Sequence, residues 1–432
     1  MLQGMLKKGT KLSGLNGITY SVKEMLGSGG QGEVYKIDSP SGEKALKWYY
    51  KQSASSMQKC IISDLVNNGS PSGSFLWPLD LINGTDGTFG YVMELRPKEY
   101  KSISDLLNRK TDPSFEKLIL AIFNLARAFE MLHQRGYSYK DISDKNVFFN
   151  PNTGDVLICD NDNVSGNGMA DSGVYGTIDF MAPEIVRGEA MPSKDTDLYS
   201  LAVLIFEMLF ISHPLNGMNE YKIHALDENA RKALYGTHPV FIFDPNNAEN
   251  RPVPGWHDNA IIYWDLYPQF LKDKFIVAFS DGIGNVSKRI FEKEWKDISI
   301  RLLDSILICP NCGAEVFLDE AKSASGKEHI CWGCQKKVII PPSIRIGKNK
   351  ILLSPKTKLK SHHINLDYDL INCVASVSQN PNNPAQWGLK NESNDTWTYI
   401  KADGSQVLVP PGKNAAIVSG NKINFGKVIG EI

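Results

Sequence analysis

No stretch of this chain is long and apolar enough to cross a bilayer as a helix. The longest helix-like apolar run, LYSLAVLIFEMLF, carries a glutamate and falls short of the roughly 20 residues that a span needs. The opening MLQGMLKKGTKL lacks the apolar core of a secretion signal. An excess of one charge is also missing. With 47 Lys and Arg against 48 Asp and Glu, a formal net charge of -1 supplies no overall attraction for nucleic acid or an anionic membrane. Internal repeats and long low-complexity tracts are absent. These absences lead to the expectation of a soluble, cytoplasmic protein that engages neither membrane nor nucleic acid. What the chain does have is apolar content, 42% over 432 residues, enough to build two or three domains with real cores.

The seven cysteines are unevenly placed. Cys60, Cys159 and Cys373 stand alone in apolar surroundings, which predicts buried free thiols. Cys309, Cys312, Cys331 and Cys334 form CPNC and CWGC, two C-x-x-C pairs with eighteen residues between them. That spacing brings four thiolates to one tetrahedral point and predicts a structural Zn2+ site. Disulfides or a redox pair are the alternative, and they call for an oxidising compartment.

Residues 18 to 95 alternate strand-like runs with glycine-rich turns. From Phe115 to His133 apolar residues recur on one helical stripe, and residues 195 to 212 give a second, strongly apolar helix. Beyond the cysteine pairs, Pro341 and Pro342 mark a boundary, after which short strands and many turns predict an all-β module.

GSGGQGEV places Gly27, Gly29 and Gly32 where backbone amides can approach phosphate oxygens, with Val34 following. A dinucleotide fold uses similar glycines but continues into a helix. Here the chain continues as a strand, EVYKI, turns at DSPSGEK and returns as KALKWYY, so the element is a hairpin whose second strand carries Lys47. A lysine within an apolar strand must meet an anion. Further on, YKDISDKN sets Asp141 five residues before Asn146, and the apolar strand VLICD ends in Asp160.

Together and in this order, these motifs resemble the eukaryotic-type (Hanks-type) protein kinases found also in bacteria. The resemblance implies a two-lobed α+β kinase fold over about residues 18 to 303, ATP and Mg2+ (or Mn2+) as cofactors, and proteins as substrates, with Ser/Thr acceptors favoured. By this likeness Asp141 orients the attacking hydroxyl, Lys47 holds phosphates, and Asn146 and Asp160 bind the metal. Val34, Ala45 and Phe148 would sandwich the adenine, Met93 would be the gatekeeper, and Glu94 and Leu95 the hinge. Thr177 and Ala182-Pro183-Glu184 fall at the substrate-positioning loop. Asp197 would hold the catalytic loop, and Arg289 would pair with Glu184.

The departures are as specific. No glutamate lies between Lys47 and Glu94, so the family's small-lobe Lys–Glu pair is missing, and Gln58 stands in that place as a hydrogen-bond partner for Lys47. Tyr139 and Lys140 replace a His-Arg pair. The metal-binding tripeptide reads Asp160-Asn161-Asp162, where Asp162 could serve a second cation. The lysine expected two residues after Asp141 is Ser143, with Lys145 two positions later as the basic residue of the catalytic loop. The segment between Asp162 and Thr177 offers Ser165, Ser172 and Tyr175 for regulatory phosphorylation near Lys140. Retention of Lys47, Asp141, Asn146 and Asp160 favours an active enzyme over the alternative, a silent nucleotide-binding pseudokinase adaptor.

The tail, with IRIGKNKILL, SHHIN, WGLKNES and NKINFG, is similar to the forkhead-associated (FHA) fold. This likeness would put phosphate-binding groups at Lys348 and Ser361 and an asparagine motif around Asn391 and Asn394, with protein docking as the plainer use. The expected division is a kinase N-lobe over 1–96, a C-lobe over 97–303, a zinc ribbon over 304–340 and an FHA-like sandwich over 341–432. That order is similar to bacterial kinases of tellurite-resistance-linked systems. The similarity implies a cognate metal-dependent phosphatase and a von Willebrand A-type (vWA) protein as partners.

Overall fold

Apolar and polar residues alternate through TYSVKEMLGS and GEVYKIDS, strands with one face turned inward, while the strand GEKALKWY is buried on both faces from Ala45 to Tyr49. In the computed structural model they are β2 (Thr19–Ser28), β3 (Gly32–Ser39) and β4 (Gly42–Tyr49). They follow β1 (Lys11–Ser13) and precede β5 (Asp80–Asn83) and β6 (Phe89–Glu94) in an antiparallel sheet of order β1-β2-β3-β4-β6-β5. The register sets Val34 opposite Lys47 and Ala45 opposite Met93. One face packs Tyr20, Val22, Tyr35, Ile37, Leu46, Trp48, Ile82 and Val92 into a core. By the two-residue period, Val34, Ala45 and Lys47 are left on the other face.

Between β4 and β5 runs α1 (Ser56–Asn68). The Ser55 hydroxyl accepts from the Gln58 amide at 3.1 Å to start it, and Gly69, at φ +66°, ends it. It buries Gln58, Ile62 and Leu65 and turns Cys60 to solvent. The expectation of three buried free thiols is thereby corrected, since Cys60 is exposed and Cys159 and Cys373 are half-buried. Helical spacing decided the first of these, as Cys60 lies off the inward stripe.

The described residues are 4–167, 176–355 and 357–432, and they form two units. The first holds Met1–Asp265 and Phe270–Asp297. Below the six-stranded sheet its helices begin with α2 (Ile103–Leu107) and α3 (Phe115–Gln134), whose inward stripe includes Ile119, Ile122, Leu125 and Phe129. A central helix, Lys194–Phe210, opens with a Ser193/Thr196 capping box and is buried on nearly every side. Small hairpin strands, Val147–Phe149 paired with Val156–Ile158, carry the polar loops of the site between these helices and the sheet.

The second unit holds Leu266–Gln269 and Ile298–Ile432. It starts with the strand pair Ile306–Ile308 and Glu315–Phe317 beside the four clustered cysteines. Then come a six-stranded and a four-stranded antiparallel sheet. Ile344, Leu359, Ala375, Leu389, Trp397 and Ile423 pack a common core between them. A one-turn helix, Ser361–Asn365, interrupts the otherwise all-β tail.

Candidate active site

The turn from β2 to β3 is closed by Gly29, whose amide donates to the Gly32 carbonyl at 2.8 Å. A Cβ at Gly32 would sit 2.1 Å from the Trp48 carbonyl oxygen, so the hairpin's own packing requires glycine there. At Gly27, Gly29 and Gly30 a Cβ would meet nothing within 4 Å. Packing within the protein does not demand those three. What they leave is bare backbone over a cleft of about 730 Å³.

That cleft gathers groups far apart in sequence. Gly27, Gly29, Gly32 and Val34 form its cover, and Ala45, Met93, Glu94, Leu95 and Phe148 line its apolar part. Lys47, Asp141, Lys145, Asn146 and Asp160 line its polar end. The Glu94 side chain points elsewhere, held by Lys44 at 2.6 and 2.7 Å, so the hinge offers backbone at that position.

Asp197 rises from the first turn of the central helix and meets the loop that carries Asp141. Its carboxylate accepts the Tyr139 amide at 2.6 Å and the Lys140 amide at 3.0 Å. Lys140 itself has φ +72°, a left-handed conformation that these bonds help to hold. Asp141 is fixed from two sides. Asn146 Nδ2 donates to its carbonyl and to its Oδ2, both at 2.9 Å, and Thr177 Oγ1 donates to Oδ1 at 2.9 Å. With Nδ2 so engaged, the amide oxygen is what Asn146 has left to offer a cation. Arg289 Nη2 reaches both Glu184 oxygens at 2.7 and 2.8 Å.

Asp160 also stands in the left-handed region, at φ +47°. Desolvation, opposed by Lys47 and reinforced by Asp162, holds its carboxyl above the ordinary carboxylate range. A carboxylate short of positive charge, beside an amide oxygen and under bare backbone amides, is a donor set suited to Mg2+ and phosphate.

Asp162 does not line the cleft. Its side chain is fully buried, with Lys47 Nζ at 2.8 and 3.0 Å from its two oxygens. Tyr91 donates to it at 3.2 Å, and Tyr49 donates to it as well. A second cation at Asp162 is therefore corrected, because donors already occupy both oxygens. Gln58 is corrected too: its Nε2 donates to the Asp162 carbonyl at 2.9 Å and to the Tyr49 hydroxyl at 3.4 Å. Burial opposes the charge on both partners, yet attraction wins on each side. Lys47 is held above its ordinary pKa by Asp162 and Asp160, and Asp162 below its own by Lys47. Gln31, which motif reading passed over, accepts from Lys47 at 3.2 Å.

Asn161 is buried and donates to the Ile158 carbonyl at 2.9 Å. Ser165 is 5% exposed and its hydroxyl donates to the Gly166 carbonyl, which corrects its reading as an accessible phosphorylation site. Ser172 and Tyr175 lie outside the described residues.

In the second unit, Cys309 and Cys334 sulfurs are 3.7 Å apart, and those of Cys312 and Cys331 3.5 Å. Those distances match neighbouring vertices of a tetrahedral thiolate site and far exceed a bond of about 2.05 Å between sulfurs. Backbone amides of Asn311 and Cys312 pull the Cys309 thiol down to about 6, toward the metal-binding thiolate.

Asp304, His362 and His363 also cluster. However, His363 Nδ1 accepts the Lys360 amide at 2.8 Å, so its Nε2 carries the hydrogen shared with Asp304 and has no lone pair for a metal.

Two of the groups expected to bind a phosphopeptide in the tail bond within the sandwich. Ser361 Oγ donates to the Asp367 carboxylate at 2.7 Å, a neighbour that repels phosphate. Asn391 is fully buried and bonds the Asp395 and Val409 carbonyls at 2.7 and 2.9 Å. Lys348 and Asn394 are exposed. The asparagine thus tightens a turn within the sandwich, which its sequence context could not distinguish from a ligand-binding role.

Residues 20–269 match the protein kinase domain family, more than half of the chain, and the chain belongs to that family. It is similar to serine/threonine-protein kinase PknD of Chlamydia abortus, 26% identical over 277 residues, 56% of this chain and 28% of that protein. Serine/threonine-protein kinase SCH9 of Saccharomyces cerevisiae is 26% identical over 220 residues, 48% of this chain and 26% of its own length. Mouse protein kinase C delta type is 33% identical over 129 residues, 28% of this chain and 19% of its own. The chain therefore spans under a third of the length of these relatives. No helix among the described residues is long and apolar enough to cross a membrane.

Proposed function

We propose that this chain is an Mg-ATP-dependent protein kinase that phosphorylates protein hydroxyls, with serine or threonine as acceptor. The observation that carries the reading is the convergence of Lys47, Asp141, Asn146 and Asp160 on one cleft beneath a bare glycine-rich turn. Val34, Ala45 and Phe148 enclose the adenine beside Met93 and the hinge backbone of Glu94 and Leu95. Lys47 engages the phosphates, while Asn146 and Asp160 would hold the magnesium. The metal, when bound, supplies charge neutralisation across the phosphates.

Asp141 accepts the hydrogen bond of the incoming hydroxyl and receives its proton as the oxygen attacks the γ-phosphorus. The bond to the β–γ bridging oxygen breaks, and ADP departs. Thr177 keeps the Asp141 carboxylate turned toward that hydroxyl. Lys145, exposed at the rim, meets the charge of the transferring phosphoryl group. Positioning and fixed charge supply most of the acceleration in such a site.

The finer division is kinase lobes over 1–96 and 97–303, a zinc ribbon over 304–340 and a sandwich over 341–432. The boundary between the two compact units falls a few residues earlier, at 297/298, and residues 266–269 group with the second unit. Cys309, Cys312, Cys331 and Cys334 would hold a structural Zn2+. The sandwich serves as a protein-docking module, and the domain order supports a metal-dependent phosphatase and a vWA protein as partners. Transfer of label from ATP to a general protein acceptor, wild type against Asp141→Ala, tests the central reading. Equal incorporation by both, or none by the wild type with Mg2+ or Mn2+, overturns it.

A further inference from the structure

Helix α1 presents an amide, Gln58, on its inward face, and its one acid, Asp64, is exposed. Lys47 is nevertheless almost entirely buried, with a side chain 8% exposed. A buried ammonium without a counterion is costly. Among the described residues two carboxylates reach it. Asp160 lies at 3.4 Å with its side chain 44% exposed to the cleft, whereas Asp162 lies at 2.8 Å and is wholly enclosed.

Asp162 is also the better-held group. The hydroxyls of Tyr49 and Tyr91 bond its carboxylate, and Gln58 bonds its carbonyl. The Lys47 ammonium lies 5.6 Å from the centre of the Tyr49 ring, which adds a further weak attraction. We infer that Asp162 is the positioning residue of Lys47. Its carboxylate, supplied by the turn that carries Asp160 and not by helix α1, is the main hold on the lysine, so that Asp160, the more distant and more exposed of the two, can face a cation in the cleft.

The consequence is a division of labour within Asp160-Asn161-Asp162. One carboxylate faces the cleft and the other faces the sheet. Helix α1 acts on the lysine at one remove, through the Gln58 bond to the Asp162 backbone. The inference rests on the assignment of Lys47 and Asp160 to nucleotide and metal above.

Two measurements test it. The first is a cycle of unfolding midpoints for wild type, Lys47→Met, Asp162→Asn and the double variant. Each single change strands a buried charge or its donors, so the double variant should be more stable than the sum of the singles predicts. Additive losses overturn the pairing. If Asp162→Asn does not fold alone, folding of the double variant supports the pairing and its failure to fold overturns it.

The second measurement is binding of a fluorescent ADP, in chelator and across a Mg2+ titration. In Asp162→Asn the freed lysine turns to Asp160 and competes with the cation, so half-saturating Mg2+ should rise about tenfold, and metal-free affinity should fall by a similar factor. An unchanged Mg2+ requirement overturns the inference. Wild-type protein that binds no ADP overturns the nucleotide reading instead, and the stability cycle still decides the pairing.

Discussion

His133 Nε2 lies 3.1 Å from Asp197 Oδ2, the same carboxylate that receives the Tyr139 and Lys140 amides. The other ring nitrogen meets Glu292. Burial opposes a charge on the imidazole, but the two carboxylates win and raise its pKa from 6.5 to about 9. A raised folded-state pKa stabilises fully below the unfolded value, fades above 6.5 and is lost as pH passes about 9. The contribution is on the order of 3 kcal/mol. The unfolding midpoint of the wild type should therefore fall relative to that of His133→Gln between pH 6.5 and 9. Parallel curves would remove the charged pair.

Glu207 lies buried in the last turn of the central helix, where burial first, then Asp144 and Asp179, push its carboxyl far above the usual range. Folding at neutral pH thus requires it to take up a proton, and that demand grows with pH. Glu207→Gln should raise the melting temperature at pH 8 and leave it nearly unchanged at pH 4.5. A loss at pH 8 would refute this.

Two glycines of the same turn should fail in different ways. Gly32→Ala drives a methyl into the Trp48 carbonyl and should cost about 2 kcal/mol or more of stability. Gly29→Ala meets no protein atom and should leave unfolding unchanged while weakening nucleotide binding. Denaturant curves and ADP titrations on both variants separate the two roles.

Thr177 Oγ1 donates to Asp141 at 2.9 Å. Thr177→Val should lower kcat about tenfold or more, since a hydrogen bond to a charged group is worth about 1.5–3 kcal/mol, while Thr177→Ser keeps most activity. Equal turnover in both variants would show that the threonine does not orient the base.

The four cysteines should bind one zinc per chain. Metal analysis should find it in the wild type and not in Cys331→Ser, with unfolding of residues 298–432 shifted to lower temperature, because site formation and folding are coupled. Equal zinc in both proteins would remove the site.

Local order was readable from local pattern. The stripe FEKLILAIFNLARAFEMLH runs as Phe115–Gln134, and KALKWYY returns as the strand Gly42–Tyr49 with Lys47 facing away from the Trp48 core. Periods of 3.6 and 2, a serine cap and a glycine turn act over a few residues, so they leave their mark in a few residues. The tail's strands were legible for the same reason, whereas the roles of Ser361 and Asn391 were not, because a turn-stabilising side chain and a ligand-binding one use the same residue types.

Residue order alone established a glycine-rich hairpin, a lysine strand, a loop with Asp141 and Asn146, and four metal-type cysteines. Folding alone settled whom Lys47 meets. Its partner Asp162 is 115 positions away, and the choice between Asp162, Asp160 and Gln58 depends on which side chain the turn after Ile158 aims at the sheet. That direction is set by backbone angles such as the left-handed Asp160 and by the tyrosines that fill the space around it, and neither is encoded in any one stretch of the chain.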